Sequence, residues 1–435
     1  MKQLLYNANI LTMNDNYDAY ENGYLVIQDN VIQELGEGLP AGYHTYNEKY
    51  DCGQGILIPG MVNTHTHVGM IPFRSLADDV PNRLERFLFP LENRAMTADL
   101  AYASAKYAAA EMQLAGVTTC SDMYYFEDDI ASAVKEMGSR AILAETIIKK
   151  SPDTTADYET LDYAEYFIQR WLEDDLITPG IAPHAPYTNS TESLQKAAAI
   201  SHKYNVPIMM HVSEMEHEMV YYAEQYQMSP VAYLDSIGLL NNRFIAAHCI
   251  HLNSEDIQIL KHNQVGVAHC IGANTKSAKG VAPVKELINQ EVNVGLGTDG
   301  PSSGNTLDMF TQMRMVANFH KTYNRDRSAF AAQEIVGLAT IGGARVLNMA
   351  DEIGSLEVGK KADICLVETQ SVNMFPVFDP YSALVYSANA GNVEAVWING
   401  AQRVLQKQLA QHDLRTIRSD LDSSMSQFKV IVSEL

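Results

Sequence analysis

Ile56-Leu57-Ile58-Pro59-Gly60-Met61-Val62-Asn63-Thr64-His65-Thr66-His67 is an apolar run that ends in a pair of histidines. It reads as one buried strand over residues 56–67. Side chains along a strand alternate faces, so His65 and His67 point the same way and can grip one metal ion. In a chain with 13 histidines such a pair also arises by chance. Its meaning therefore depends on what the other strands bring.

Seven further apolar segments read as strands: residues 117–123, 141–148, 177–187, 206–214, 244–252, 265–274 and 292–301. Amphipathic stretches such as 98–115 and 191–204 lie between them. Eight β/α alternations are the signature of an α/β fold of the (β/α)8 TIM-barrel type, whose active sites gather at the C-terminal strand ends. The chain ends read differently. Tyr24-Leu25-Val26-Ile27 and Val31-Ile32-Gln33-Glu34-Leu35 flank a tight turn at Asp29-Asn30, and Val396-Trp397-Ile398 enters an Asn399-Gly400 hairpin. Neither end alone has enough strands to bury a core, so the two are expected to combine into a small composite β-sandwich domain. The division expected is 1–60 for the first part of that domain and 61–350 for the barrel. Residues 351–435 supply the second part and a C-terminal helix.

A length of 435 residues suits one barrel with a smaller domain. The net charge of −22 argues against nucleic acid or an anionic membrane as partner, because phosphate binding needs basic patches. Five cysteines without a C-x-x-C pair give no disulfide framework and suit a reducing cytoplasm. The N-terminus shows no signal-peptide pattern and no apolar run is long enough to span a membrane.

The polar residues at the strand ends form a constellation. His65 and His67 close the first strand, His184 the fourth, His211 the fifth, His248 the sixth, His269 the seventh and Asp299 the eighth. One histidine in a core strand is usually a hydrogen-bonded structural residue, but six of eight strands ending this way points to a metal or acid/base site. A catalytic zinc takes three or more nitrogen or oxygen ligands and leaves a position for water. His65, His67, His211 and Asp299 supply such a set for one divalent metal ion, Zn2+ with Fe2+ as the alternative. The ion would lower the pKa of a water to about 7. Glu214, three residues beyond His211, suits a general acid that protonates a ring nitrogen. His248 suits orientation of the hydroxide. Asp299 can also accept the water proton and pass it to the leaving amine. The fourth strand has no lysine that could be carboxylated to bridge two metals, which favours one.

These motifs resemble the amidohydrolase superfamily over nearly the whole chain. The resemblance rests on Pro59 to His67, His211-Val212-Ser213-Glu214, Ala247-His248-Cys249 and Gly297-Thr298-Asp299-Gly300. Gly354-Ser355-Leu356-Glu357-Val358-Gly359-Lys360-Lys361-Ala362-Asp363 also resembles the family's return into its composite β domain. The subgroup most similar is that of the methylthioadenosine/S-adenosylhomocysteine deaminases, with the triazine chlorohydrolases nearby. The resemblance implies hydrolytic deamination of an aromatic amine on a purine-type nucleoside such as adenosine or methylthioadenosine. It also implies that His184, in Pro183-His184-Ala185-Pro186-Tyr187, contacts the heterocycle, and that Glu92, in Phe89-Pro90-Leu91-Glu92, binds the ribose diol. Where adenosine-type members carry an arginine for the homocysteine carboxylate, this chain has Glu145, which disfavours S-adenosylhomocysteine. His269-Cys270-Ile271-Gly272-Ala273-Asn274 departs from the subgroup's His-Asn-Pro. The Glu-Trp-Leu segment before Glu92 is absent, leaving Phe87 as the expected aromatic wall.

Other signals fail. Gly295-Leu296-Gly297-Thr298-Asp299-Gly300 matches G-x-G-x-x-G, but Pro301 follows and no acid-ended strand lies about 20 residues on. His217-Glu218 lacks the second histidine of a zincin. Arg74, Asp78 and Asp79 lie in the loop after the first strand, where a substrate lid belongs. Two competing functions stand beside the nucleoside deaminase: a hydrolase displacing amine or chloride from a pterin or triazine ring, and an inactive barrel serving as a scaffold. The expected partners are a small heterocyclic substrate and further copies of the chain in a homo-oligomer.

Overall fold

In the computed structural model, which describes residues 2–434, eight parallel strands form one sheet in sequential order. They are β1 (Met61–Thr66), β2 (Val117–Tyr124), β3 (Arg140–Ile147), β4 (Ile177–Pro183), β5 (Ile208–Val212), β6 (Phe244–His248), β7 (Gly266–His269) and β8 (Val294–Leu296). Helices cover the outside, so the strands are buried on both faces and read as continuous apolar runs. Inward-facing Val62, Ile142, Ala144, Met209, Ile245 and Ala247 pack together within the barrel, and Val346, Leu347 and Ile353 join them. Outward-facing Leu143, Ile181, Met210 and Val267 join the helix layer.

The barrel closes between β8 and β1 largely through side chains. The Asp299 amide donates to the His65 carbonyl at 3.0 Å. The Asn63 side chain donates to Thr298 Oγ1 at 2.8 Å and accepts from the Thr298 amide at 3.0 Å. Gly295 permits this approach: a Cβ there would lie 2.6 Å from the Thr64 methyl and 2.7 Å from Gly343 Cα.

The opening apolar run is two strands, not one. Ile56–Pro59 pairs antiparallel with Ile364–Val367 in a different sheet, and β1 starts after Gly60. At Gly60 any Cβ would overlap Thr118 at 2.1 Å, so the chain can cross from one sheet to the other only at a glycine. The expected seventh strand also ends early, because Ile271–Lys276 is helical. A short apolar run does not distinguish the two states.

The chain ends build a nine-stranded mixed sheet. From one edge its order is Gln408–Leu409, Ala401–Leu405, Val393–Ile398, Ile364–Val367, Ile56–Pro59, Lys2–Leu11, Ala19–Gln28 and Val31–Glu37, with Glu48–Asp51 also paired to Lys2–Leu11. The sheet curls on itself: Trp397 donates to Gln3 Oε1 at 2.9 Å although two strands separate theirs in the ladder. Leu5, Ile10, Ile27, Leu57, Ile364 and Trp397 fill the core so enclosed. Asn399 and Gly400, at φ 52° and 77°, make the predicted hairpin turn. Barrel and sheet are joined by a buried ion pair. Arg140, at the start of β3, donates to Asp363 through Nε at 2.9 Å, with 3% and 1% of the two side chains exposed. Two C-terminal helices, Leu414–Ser424 and Ser426–Ser433, return to the barrel, where Phe428 meets Phe73 edge-on. No helix among the described residues is long and apolar enough to cross a membrane.

Candidate active site

His65 in β1, His67 just beyond it and His211 in β5 converge at the C-terminal end of the barrel, their nearest ring nitrogens within 4.8 Å of one another. Asp299, three residues past β8, places Oδ1 3.2 Å from His67 Nε2 and 3.8 Å from His65 Nε2. His211 Nε2 lies 3.3 Å from His67 Nε2. Two of the rings are oriented from behind: His67 Nδ1 donates to the Met123 carbonyl at 2.6 Å and His211 Nδ1 to the His184 carbonyl at 2.7 Å. Each bond turns Nε2 toward the centre. Asp299 and His248 both adopt left-handed backbone, φ 58° and 74°, which turns their side chains into the barrel mouth.

These residues fit a divalent metal. His65 is 1% exposed, and neither of its ring nitrogens has a hydrogen-bond partner. Burial, together with the neighbouring His67, pushes its pKa well below the usual imidazole range, so it is a neutral lone-pair donor. His211 is held low in the same way, by burial and then by His184 and His65. Burial opposes protonation of His67, but the Asp299 carboxylate outweighs it and raises its pKa to about 9, so this ring would give up a proton on binding an ion. Three imidazole nitrogens and a carboxylate, buried and mutually close, make a donor set for one ion.

Glu214 and His248 sit beside this centre, His248 Nε2 being 3.5 Å from Glu214 Oε1. Asn274 accepts from His248 Nδ1 at 2.8 Å and fixes the ring. Burial opposes ionisation of Glu214, but the His248 ring and the Lys279 ammonium outweigh it and hold its carboxyl below the usual range. A cavity opens over the group, lined among others by Glu92, Tyr124, Thr146, His184, Glu214 and Lys279. Glu92 is 6% exposed, and burial raises its carboxyl to about 7 against the pull of Tyr124 and His67. His184 Nδ1 lies 3.2 Å from Thr188 Oγ1, and burial beside His67 lowers its pKa to about 4, so it faces the cavity neutral.

Glu145 is placed differently from the sequence expectation. On β3 the inward positions are Ile142, Ala144 and Thr146, so Glu145 points out into the helix layer, where it accepts from the Glu127 amide at 3.1 Å. Burial and the carboxyls of Asp153 and Glu127 push its pKa well above the usual range. The aromatic wall is Phe89, 6.1 Å from the His184 ring, rather than Phe87, which packs into the core. Asp78 ties the loop after β1 to Lys276, Arg83 and Asn305, whereas Arg74 pairs with Glu111 and Asp79 is exposed. His269 lies behind the site, its Nε2 2.9 Å from that of His320. Lys279 and Asn274 were not read from the sequence as site residues, since Lys279 lies in a loop where no periodicity marks direction and Asn274 in a helix that the sequence reads as the end of a strand. The cue was a lysine beyond a strand end on the face that carries the histidines.

Comparison with known proteins agrees with this geometry. The model of the amidohydrolase family matches residues 56–403. The 5-methylthioadenosine/S-adenosylhomocysteine deaminase of Syntrophobacter fumaroxidans is 37% identical over 433 residues, 98% of this chain and 97% of that protein. The 5'-deoxyadenosine deaminase of Methanobrevibacter smithii is 35% identical over 411 residues, 94% of each chain. A zinc-bound adenosine deaminase from Xanthomonas campestris superimposes with a TM-score of 0.94 at 30% identity, covering 98% of both chains. The atrazine chlorohydrolase of Arthrobacter aurescens, at 22% identity and a TM-score of 0.90 over 97% of this chain and 99% of that one, shares the fold. With the barrel, the histidine cluster and a family match across most of its length, the chain belongs to the amidohydrolase family.

Proposed function

We propose that this protein is a metal-dependent aminohydrolase that replaces the exocyclic amine of an adenosine-type nucleoside by oxygen and releases ammonia. The observation that carries the reading is Glu214 beside His248 at the edge of a buried three-histidine, one-aspartate centre. His65, His67, His211 and Asp299 would hold the ion, and the zinc in the Xanthomonas campestris relative supports zinc over iron. When bound, the ion supplies Lewis acidity that makes hydroxide available near neutral pH. His248, braced by Asn274, orients the attacking water. Asp299 takes one of its protons and passes it to the departing amine. Glu214, a carboxylate at rest, takes the other proton of that water and delivers it to the ring nitrogen next to the reacting carbon, which makes that carbon electrophilic. His184 and Phe89 flank the base, and Glu92 receives the ribose hydroxyls.

The cavity favours a neutral nucleoside. Among its described lining residues Lys279 is the only lysine or arginine, and Glu214 already occupies it. A homocysteine carboxylate therefore finds no free cation. The relatives' names point to methylthioadenosine and 5'-deoxyadenosine as first candidates. The five cysteines, all free and buried, suit the cytoplasm. Ammonia release measured across adenosine, 5'-deoxyadenosine, methylthioadenosine, S-adenosylhomocysteine and pterins tests the reading. Release from the neutral nucleosides, abolished in Glu214→Gln with metal retained, is expected. No release from any adenine nucleoside by metal-loaded protein would overturn it.

A further inference from the structure

Lys279 follows the short helix Ile271–Lys276, and its ammonium meets the Glu214 carboxylate inside the cavity wall. The pair is largely shielded, with 24% of the lysine and 13% of the glutamate side chain exposed. Among the described residues no other side chain hydrogen-bonds the Glu214 carboxylate. The same asparagine fixes both of its neighbours: Asn274 holds the His248 ring through its side chain and accepts the Lys279 amide on its carbonyl at 3.0 Å. The geometry is that of a built bracket around one carboxylate, not of a surface pair that solvent dissolves.

We propose that Lys279 is a positioning residue for Glu214, anchoring its carboxylate at the cavity wall so that a substrate ring meets it already aimed. The proposal rests on the proton-transfer reading of Glu214. The other titratable groups that face Glu214 are His184 just beyond β4, Glu218 from the helix Glu216–Tyr226, His248 from β6, Cys270 just beyond β7 and Asp299 beyond β8. Burial and Asp299 oppose ionisation, and the lysine's charge works with the His248 ring against them. Lys279 gives up no proton. Glu214 takes one from the attacking water as that O–H bond breaks, and passes it to the ring nitrogen as the N–H bond forms. Glu214 ends each cycle as the carboxylate it began.

The test reads Glu214 directly. The infrared carboxyl stretch of Glu214, isolated as the difference from Glu214→Gln in the metal-loaded enzyme, is titrated with and without Lys279. Lys279→Met is expected to move its midpoint upward by about one to three pH units, and Lys279→Arg to return it. The acid limb of kcat/KM should move with it, and kcat should fall about tenfold or more with little change in KM. If Lys279→Met does not fold, Lys279→Gln serves the same comparison. An unmoved midpoint and limb, with Glu214→Gln inactive, would overturn the role of Lys279 alone. Full turnover in Glu214→Gln would overturn the reading of Glu214 and the purpose of the anchor with it.

Discussion

Glu92 offers a test in which binding and stability change in opposite directions. Its carboxyl lines the cavity from the helix Phe89–Ala95 and titrates at about 7. From pH 6 to pH 8 it therefore passes from about nine-tenths protonated to about nine-tenths ionised. Bonds from ribose hydroxyls to a carboxylate are about twice as strong as those to a neutral carboxyl, a gain of about 1 kcal/mol each. The ionised form then binds a nucleoside better by about 1–2 kcal/mol, and the changing population limits the visible effect to about tenfold. KM for methylthioadenosine, measured by ammonia release, should fall about fivefold between pH 6 and pH 8. In Glu92→Gln it should stay flat at a higher value. Stability runs the other way. The folded carboxyl keeps until about pH 7 a proton that the unfolded chain releases near 4.5, so raising the pH through that window costs the fold up to about 3 kcal/mol. Glu92→Gln should accordingly resist urea better than the parent at pH 8 and no better at pH 4. A KM that is pH-independent in the parent, or equally pH-dependent in Glu92→Gln, would refute the argument.

Removing one partner of the Arg140–Asp363 pair strands a buried charge, so Asp363→Ala should lower unfolding free energy by about 3–5 kcal/mol in urea titrations, with the double change Arg140→Met, Asp363→Leu recovering much of it. Glu145 keeps its proton in the fold well above the usual carboxyl range. Glu145→Gln should therefore raise stability in alkaline buffer and leave KM for nucleosides unchanged; an altered substrate profile would show that the side chain reaches the cavity. His65→Ala should drop bound metal, measured by elemental analysis, well below one ion per chain, whereas His248→Asn should keep it.

The cluster of His65, His67 and His211 was legible in the sequence because these residues lie at or beside strand ends, where a period of two and a barrel topology fix direction. The same period turns Glu145 away from the site: counted from inward-facing Ala144, residue 145 must face outward. The break at Gly60 was illegible for another reason. Residues 56–62 are apolar or small on both sides of it, and only the strand pairing and the collision with Thr118 show that two sheets share the run. Lys279 lies in a loop that no periodicity constrains, so its ion pair with Glu214 became visible only once the fold brought the segment beyond β7 to the end of β5, across β6.

The seam between β8 and β1 ties catalysis to architecture. β8 is only three residues long, and the bonds that join it to β1 run through His65, Asn63, Thr66, Thr298 and Asp299. Two of those five, His65 and Asp299, are proposed to hold the ion. The ion would thus act as a rivet across the weakest joint of the barrel, and its release would loosen the wall as well as stop the chemistry. An Asn63 variant would then present as a loss of enzyme activity with weakened metal retention, although that side chain touches neither ion nor substrate.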